Sequence, residues 1–261
     1  MLLILDLFRI SCFAFRACKR QFPLLYRSLS ASATALPYST SELPFRIPRM
    51  TTEHSPAVCL AYLVRHGATD VNLANPPRLQ GRGVNLGLSE TGQQQAAKTA
   101  AFFADRAIDA VFSSPLLRAV ETAQSIAQPH GLEVQTVEEL TEVHVGDWEG
   151  MSWPDIEAAD RDYYERYMAD TGTVPYLNGE SFQDVQDRAL PALRRLMRQQ
   201  RGKQIVIVAH NIVNRTCLAG LLHIPVARAR AISQDNCGIN VLRLKDDELK
   251  VRMTNVAFHL E

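Results

Sequence analysis

The chain has few cysteines, no long apolar run and no net charge, and each absence narrows what the protein can be. Its five cysteines, Cys12, Cys18, Cys59, Cys217 and Cys237, are odd in number and widely spaced among 261 residues. Such a set builds neither a disulfide framework nor a zinc ligand cluster, so a reducing compartment and a cytoplasmic location are the expectation. No stretch reaches the roughly 18 uninterrupted apolar residues that a membrane span needs, so no membrane partner is expected. Basic and acidic residues balance at 28 each. That balance hides an asymmetry: the first 49 residues carry Arg9, Arg16, Lys19, Arg20, Arg27, Arg46 and Arg49 against only Asp6 and Glu42. From Met50 onward, 21 basic residues face 26 acidic ones, a net of −5. An acidic body offers no footing for nucleic acid, so any bound anion must be held by a local cluster.

What is present divides into a leader and a body. The leader is rich in Arg, Ser and aromatics and lacks helical periodicity. Its composition fits a transit peptide; a secretory signal fits less well, because Asp6 interrupts the apolar run and no basic region precedes it. The favoured reading is that translation begins at Met50, where "MTTEHSPAV" reads as a short polar start. Residues 1–56 are therefore expected to be unstructured and 57–261 to form one domain.

The body alternates short apolar runs with helical patterns, which predicts an α/β three-layer sandwich: a mostly parallel central sheet with helices on both faces. Strands are expected at 59–65, 109–114, 132–137, 204–210 and 238–244, with "QIVIVAH" in the sheet centre because it is continuously apolar and β-branched. Helices are expected from Glu90 (capped by Ser89) to Asp105, from a Ser114-Pro115 start to Gln128, and over 155–168, 181–200 and 212–222. Cys217 falls within an apolar helical pattern and reads as a small core residue.

Chemistry collects at strand ends. "LVRHGAT" ends the first strand in Arg65 and His66, Arg118 falls in the first turn of the helix after Ser114-Pro115, and His210 ends the central strand. In open parallel sheets ligands bind beyond the carboxyl ends of strands. Two arginine forks, two imidazoles and a helix N-terminus make a phosphate pocket. Arg118 stands against the macrodipole preference for acids, at a cost of about 0.3–1 kcal/mol that a bound anion would offset.

These motifs, in order, are "RHGATDVN" (65–72), "LQGRG" then "LSETGQQQA" (79–97), "SSPLLRAVETA" (113–123), "LTEVHVGDWEG" (140–150), "NGESFQDVQDR" (178–188) and "VAHNIVNR" (208–215). The series resembles the histidine phosphatase superfamily of phosphoglycerate-mutase-like fold, over roughly Ala57 to Leu260. The resemblance implies that His66 is the nucleophile, that Arg65, Arg118 and His210 hold the phosphoryl oxygens, and that Glu142 protonates the leaving oxygen and then helps activate water. It places Thr69, Asn72 and Asn211 around the same pocket, and implies a small phosphorylated substrate, no metal and no cofactor, in a monomer or homodimer. The chemistry requires a neutral His66 imidazole with Nδ1–H held by an acceptor, for which a backbone carbonyl of the following turn is expected, with Gly67 letting that backbone fold back tightly. It also asks for a protonated His210 and for a Glu142 whose pKa is raised.

Departures from the family pattern choose among its activities. Cofactor-dependent mutases carry Glu-Arg-His-Tyr-Gly where this chain has Glu142-Val143-His144-Val145-Gly146, and the connection from Gly150 to Asn178 is short. Phosphomonoester hydrolysis is therefore the leading expectation, with a phosphoglycerate mutase and a catalytically silent phosphate-binding regulator as alternatives. Arg82 reads either as a specificity residue or as a solvent-facing loop residue. Trp148, Trp153, Tyr163, Tyr164, Tyr167 and Tyr176 read either as a substrate-facing lid or as a satellite core.

Overall fold

In the computed structural model, residues 57–261 are described, and the readings of 1–56 lie outside them. Six strands form one sheet: β1 (Val58–Arg65), β2 (Ala110–Ser113), β3 (Val134–Thr136), β4 (Gln204–Ala209), β5 (Ile239–Lys245) and β6 (Glu248–Val256), in the order β3-β2-β4-β1-β5-β6. β4 lies in the interior of the sheet, as its sequence predicts, and pairs in parallel with β1 and β2. β3 is parallel to β2, whereas β5 and β6 add antiparallel strands beyond β1. The sheet is thus mixed.

Alternation along the buried strands feeds two separate cores. Ala61, Leu63, Ile205 and Ile207 face helices α6 (Phe182–Gln199) and α7 (Asn211–Leu221), packing with Val185, Ala189, Leu193, Val213 and Cys217. Tyr62, Val64, Val206 and Val208 face helices α2 (Glu90–Ala104) and α3 (Leu117–Ala127), packing with Phe103, Ala119, Ala123 and Ile126. The result is the three-layer sandwich. Cys59, Cys217 and Cys237 are buried free thiols within it.

Register aligns the ends that matter. Arg65 pairs with Ala209 across β1 and β4, and Ser113 with Val208 across β2 and β4. The residues that follow, His66, His210 and Ser114, therefore emerge at one sheet edge.

Two sequence expectations are corrected, and two elements were unforeseen. α3 does not start at Ser114-Pro115 but at Leu117, with no side-chain cap at Leu116. The Ser114 hydroxyl is engaged elsewhere, by His210 and the Leu116 N–H. The helix expected over 155–168 is two, α4 (Trp153–Ala159) and α5 (Arg161–Ala169), because Asp160 leaves the helical conformation at φ −153° and ψ 88° and its carboxylate caps Tyr163 N–H. β6 was not anticipated. It is an exposed edge strand with weak alternation, joined to β5 by Asp246 and Asp247 at φ 48° and 63°, the positive-φ Asp pair of a tight hairpin. A short helix α1 (Asp70–Leu73), capped by Thr69, was likewise unforeseen.

Candidate active site

A cleft of about 270 Å³ opens at this sheet edge. Arg65, His66, Asn72, Glu142 and Asn211 lie on its wall. Arg118 and His210 stand fully buried around them, and the His66 and His210 rings are 5.1 Å apart.

His66 is 3% exposed, and its Nδ1 lies 2.7 Å from the Gly67 carbonyl oxygen. A carbonyl only accepts, so Nδ1 carries the proton and Nε2 is free whenever the ring is neutral. Burial, reinforced by the Arg118 and Arg65 charges, holds the His66 pKa well below the usual 6.5, which keeps the ring neutral. Gly67 serves a purpose other than the tight reversal expected: its φ is not left-handed. A Cβ there would come within 2.6 Å of the Gly92 carbonyl, so glycine lets the end of β1 abut the start of α2.

His210 donates or accepts through Nε2 with Ser114 Oγ at 2.7 Å, and its buried Nδ1 has no protein partner. Burial, then the charges of Arg118, His66 and Arg65, depress its pKa well below 6.5. These surroundings disfavour the protonated His210 that the chemistry asks for. The cationic form would require a bound phosphoryl dianion to offset the two arginines.

Arg65 donates through Nη1 to the Gln234 carbonyl at 2.7 Å, leaving a buried Nε unpartnered. Burial lowers its pKa to about 10, so it stays charged at neutral pH. Arg118 spends its terminal nitrogens on the carbonyls of Val84 and Gly81, both at 3.0 Å, and likewise keeps an unpartnered Nε. It clamps the 81–84 loop and stands behind the cleft wall. Arg82 in that loop is solvent-exposed and off the cleft.

Glu142 is 4% exposed. Its oxygens accept from the backbone N–H of Val143 at 2.9 Å and of Ile212 at 3.4 Å. Burial pushes its pKa up, against the pull of those N–H groups and of Arg118 and Arg65. A buried carboxyl that favours its proton beside an imidazole that refuses one is the pairing an acid and a nucleophile need.

Asn72 and Asn211 reach the wall, and the Asn211 Oδ1 is unpartnered. Thr69 does not line it: fully buried, it caps α1 and donates its hydroxyl to Gln80 Oε1 at 2.6 Å. Most of the aromatic segment is core, with Trp148 edge-on to Trp153, Tyr163, Tyr167 and Tyr176 at 5.0–6.2 Å. Trp153 and Tyr176 also face the cleft.

Sequence reading missed several supporting residues. Arg188 donates to the carbonyls of Glu139, Thr141 and Glu142 and pairs with Glu180, so one side chain fixes the loop that presents Glu142. Glu180 in turn accepts from the His144 N–H, which gives that segment a structural anchor. Arg215 and Arg230 lie on the cleft wall as well. Arg215 was legible in principle, since it lies four residues past Asn211 on the same helix face; "ARARA" around Arg230 offers no such signal. Among the described residues, no group of three or more His, Cys, Asp or Glu is placed to hold a metal ion.

Comparison with known proteins adds to this geometry. A bifunctional protein of Mycobacterium tuberculosis is 37% identical over 149 residues, 57% of this chain. The chain spans only 40% of that relative's length. Glucosyl-3-phosphoglycerate phosphatase of Mycolicibacterium vanbaalenii is 34% identical over 171 residues, 63% of this chain and 74% of that protein. The crystal structure of phosphoserine phosphatase from Entamoeba histolytica in complex with 3-phosphoglyceric acid superposes with a TM-score of 0.70 at 27% identity, covering 78% of this chain and all of the other. The family model of the histidine phosphatase superfamily (branch 1) matches residues 61–257, and with the strand-end histidines, arginines and buried glutamate in place, the chain belongs to that superfamily.

Proposed function

We propose that this protein is a phosphomonoester hydrolase acting on a small phosphorylated metabolite through a phosphohistidine at His66. The observation that carries the mechanism is the His66 Nδ1–H bond to the Gly67 carbonyl in a site that keeps the ring neutral. Nε2 attacks phosphorus as the bond to the leaving oxygen breaks, and the Glu142 carboxyl passes its proton to that oxygen. Arg65 and Arg118 each keep an unpartnered Nε–H for the phosphoryl oxygens, and His210 Nδ1 donates to them when its Nε2 accepts from the Ser114 hydroxyl. In the second half Glu142, now a carboxylate, takes a proton from water as its oxygen attacks phosphorus. Inorganic phosphate leaves and His66 Nε2 is freed.

The cleft volume, below the roughly 300 Å³ at which drug-sized sites begin, supports a small substrate. Residues 57–261 form the catalytic domain, working in the cytoplasm as a monomer or homodimer without a nucleic-acid partner. Buried free thiols and the acidic body support that setting. Among the described residues no helix is long and apolar enough to cross a membrane.

The test is hydrolysis of p-nitrophenyl phosphate by the purified full-length chain with and without a chelator, beside an assay for phosphoglycerate isomerisation. Chelator-resistant hydrolysis is expected. Isomerisation as the dominant activity would favour the mutase reading; neither activity from folded protein would favour the silent binder.

A further inference from the structure

We propose that Arg215 and Arg230 form a second anion subsite in the cleft, so that the substrate is a phosphomonoester carrying a further carboxylate or phosphate. The inference rests on the hydrolase reading and deepens it.

Away from the cleft several arginines find acids, while Arg106 and Arg166 lie over the Phe102 and Tyr163 rings instead. Arg161 pairs with Glu165 at 2.9 Å, Arg188 with Glu180 at 2.8 Å, Arg195 with Glu139 at 2.7 Å, and Arg198 and Arg201 share Asp247. Arg215 and Arg230 do otherwise. Both are half-buried, and neither has a carboxylate within ion-pair distance among the described residues. Glu142, needed for proton transfer, is the single acidic residue on the cleft wall.

Both guanidinium groups are nevertheless held in place. Arg215 donates its Nε–H to the Ile232 carbonyl at 2.9 Å, which leaves its two terminal nitrogens without an acceptor among the described residues. Arg230 donates from one terminal nitrogen to the Tyr167 hydroxyl at 3.0 Å and from the other to the Met168 sulfur at 3.3 Å, which leaves one N–H on each, and it sits 5.1–5.6 Å from the ring centroids of Trp153, Tyr167 and Phe182. The two cations feel each other: burial first, and then Arg230, lowers the Arg215 pKa. Glu142 offsets the Arg215 charge only from beyond ion-pair distance, and a guanidinium fixed by one bond with N–H groups to spare suits a planar or tetrahedral oxyanion.

Placement joins this pair to the phosphoryl site. Arg215 lies one turn along α7 from Asn211, which follows His210. Val143 and Val145, apolar where the mutase pattern has Arg and Tyr, line the same cleft.

Three esters of one skeleton test the proposal on the full-length protein: glycerol 3-phosphate, 3-phosphoglycerate and glycerol 1,3-bisphosphate. The wild type is expected to show kcat/KM about 10- to 100-fold higher for at least one doubly anionic ester, the range that one or two charge-assisted hydrogen bonds supply. A preference for 3-phosphoglycerate alone assigns a carboxylate, and one for the bisphosphate alone assigns a second phosphate. Arg215→Gln and, independently, Arg230→Gln should erase most of that preference while lowering kcat/KM on glycerol 3-phosphate by less than about threefold. Absence of preference in the wild type, or its persistence in both variants, overturns the subsite. Failure of the wild type to hydrolyse even p-nitrophenyl phosphate would instead overturn the hydrolase reading.

Discussion

Replacing Glu142 by Gln removes the proton that the leaving oxygen needs while keeping the side chain's shape. The carboxyl is 4% exposed and held by two backbone N–H groups, of which the Val143 contact at 2.9 Å survives with the amide oxygen as acceptor. Water has little room to substitute for the lost acid. General acid catalysis contributes about 10²–10⁴-fold, and an enclosed site belongs in the upper part of that range. For an alkyl phosphate, kcat/KM should therefore fall by about 10³–10⁴, equivalent to roughly 4–5.5 kcal/mol of transition-state stabilisation. p-Nitrophenyl phosphate needs no such help, because its phenolate departs unprotonated, and its kcat/KM should fall less than about tenfold. kcat is different: it includes hydrolysis of the phosphoenzyme, where the carboxylate acts as base, and should drop for both esters. Stopped-flow release of phenolate from Glu142→Gln should then show a burst. Equal loss of kcat/KM on the two esters would refute the assignment of Glu142 as the acid.

Two further outcomes follow from the same geometry. His66 and His210 are both held well below 6.5 in the folded protein, by burial and then the Arg118 charge. The unfolded chain thus binds more protons just below pH 6.5, and stability is lost as pH falls through that window, by up to about 1.4 kcal/mol per pH unit for each histidine. The raised Glu142 works in the opposite sense, favouring the folded state as it takes up its proton. Urea unfolding between pH 7 and 5 should show a shallower dependence in His66→Asn and His210→Gln than in the wild type, and an identical slope would contradict the burial argument. Arg188→Ala removes a largely buried pair with Glu180 and three bonds to the Glu142 loop. It should cost about 2–4 kcal/mol in denaturant unfolding, with kcat reduced more than KM is raised. A change below 0.5 kcal/mol, about the scatter of surface substitutions, would show that the loop is held by other means.

The fold was legible where periodicity and burial coincide. β4 is continuously apolar because both its faces are covered, and its sequence alone puts it inside the sheet. β6 escaped because an edge strand needs only weak alternation. The site was legible in its strand-end residues, since "RHG" and the His closing β4 are local features that parallel register brings together. The residues that support them were not. Arg188 reaches Glu142 across 46 positions, and Ser114, which reads as a helix cap, proved to serve His210 across 96. Spacing of four on one helix makes the Arg161–Glu165 pair readable in sequence, whereas the Arg195–Glu139 pair, 56 positions apart, is set by packing alone.

The central claim is that phosphorus passes through His66, and trapping it there is the most direct test. The full-length protein mixed with excess substrate, quenched in alkali within milliseconds and digested for mass spectrometry, should carry one acid-labile phosphoryl group on the peptide containing His66. The group should be absent from His66→Ala and should accumulate in Glu142→Gln. A phosphoryl group on another residue, or turnover persisting in His66→Ala, would contradict the account.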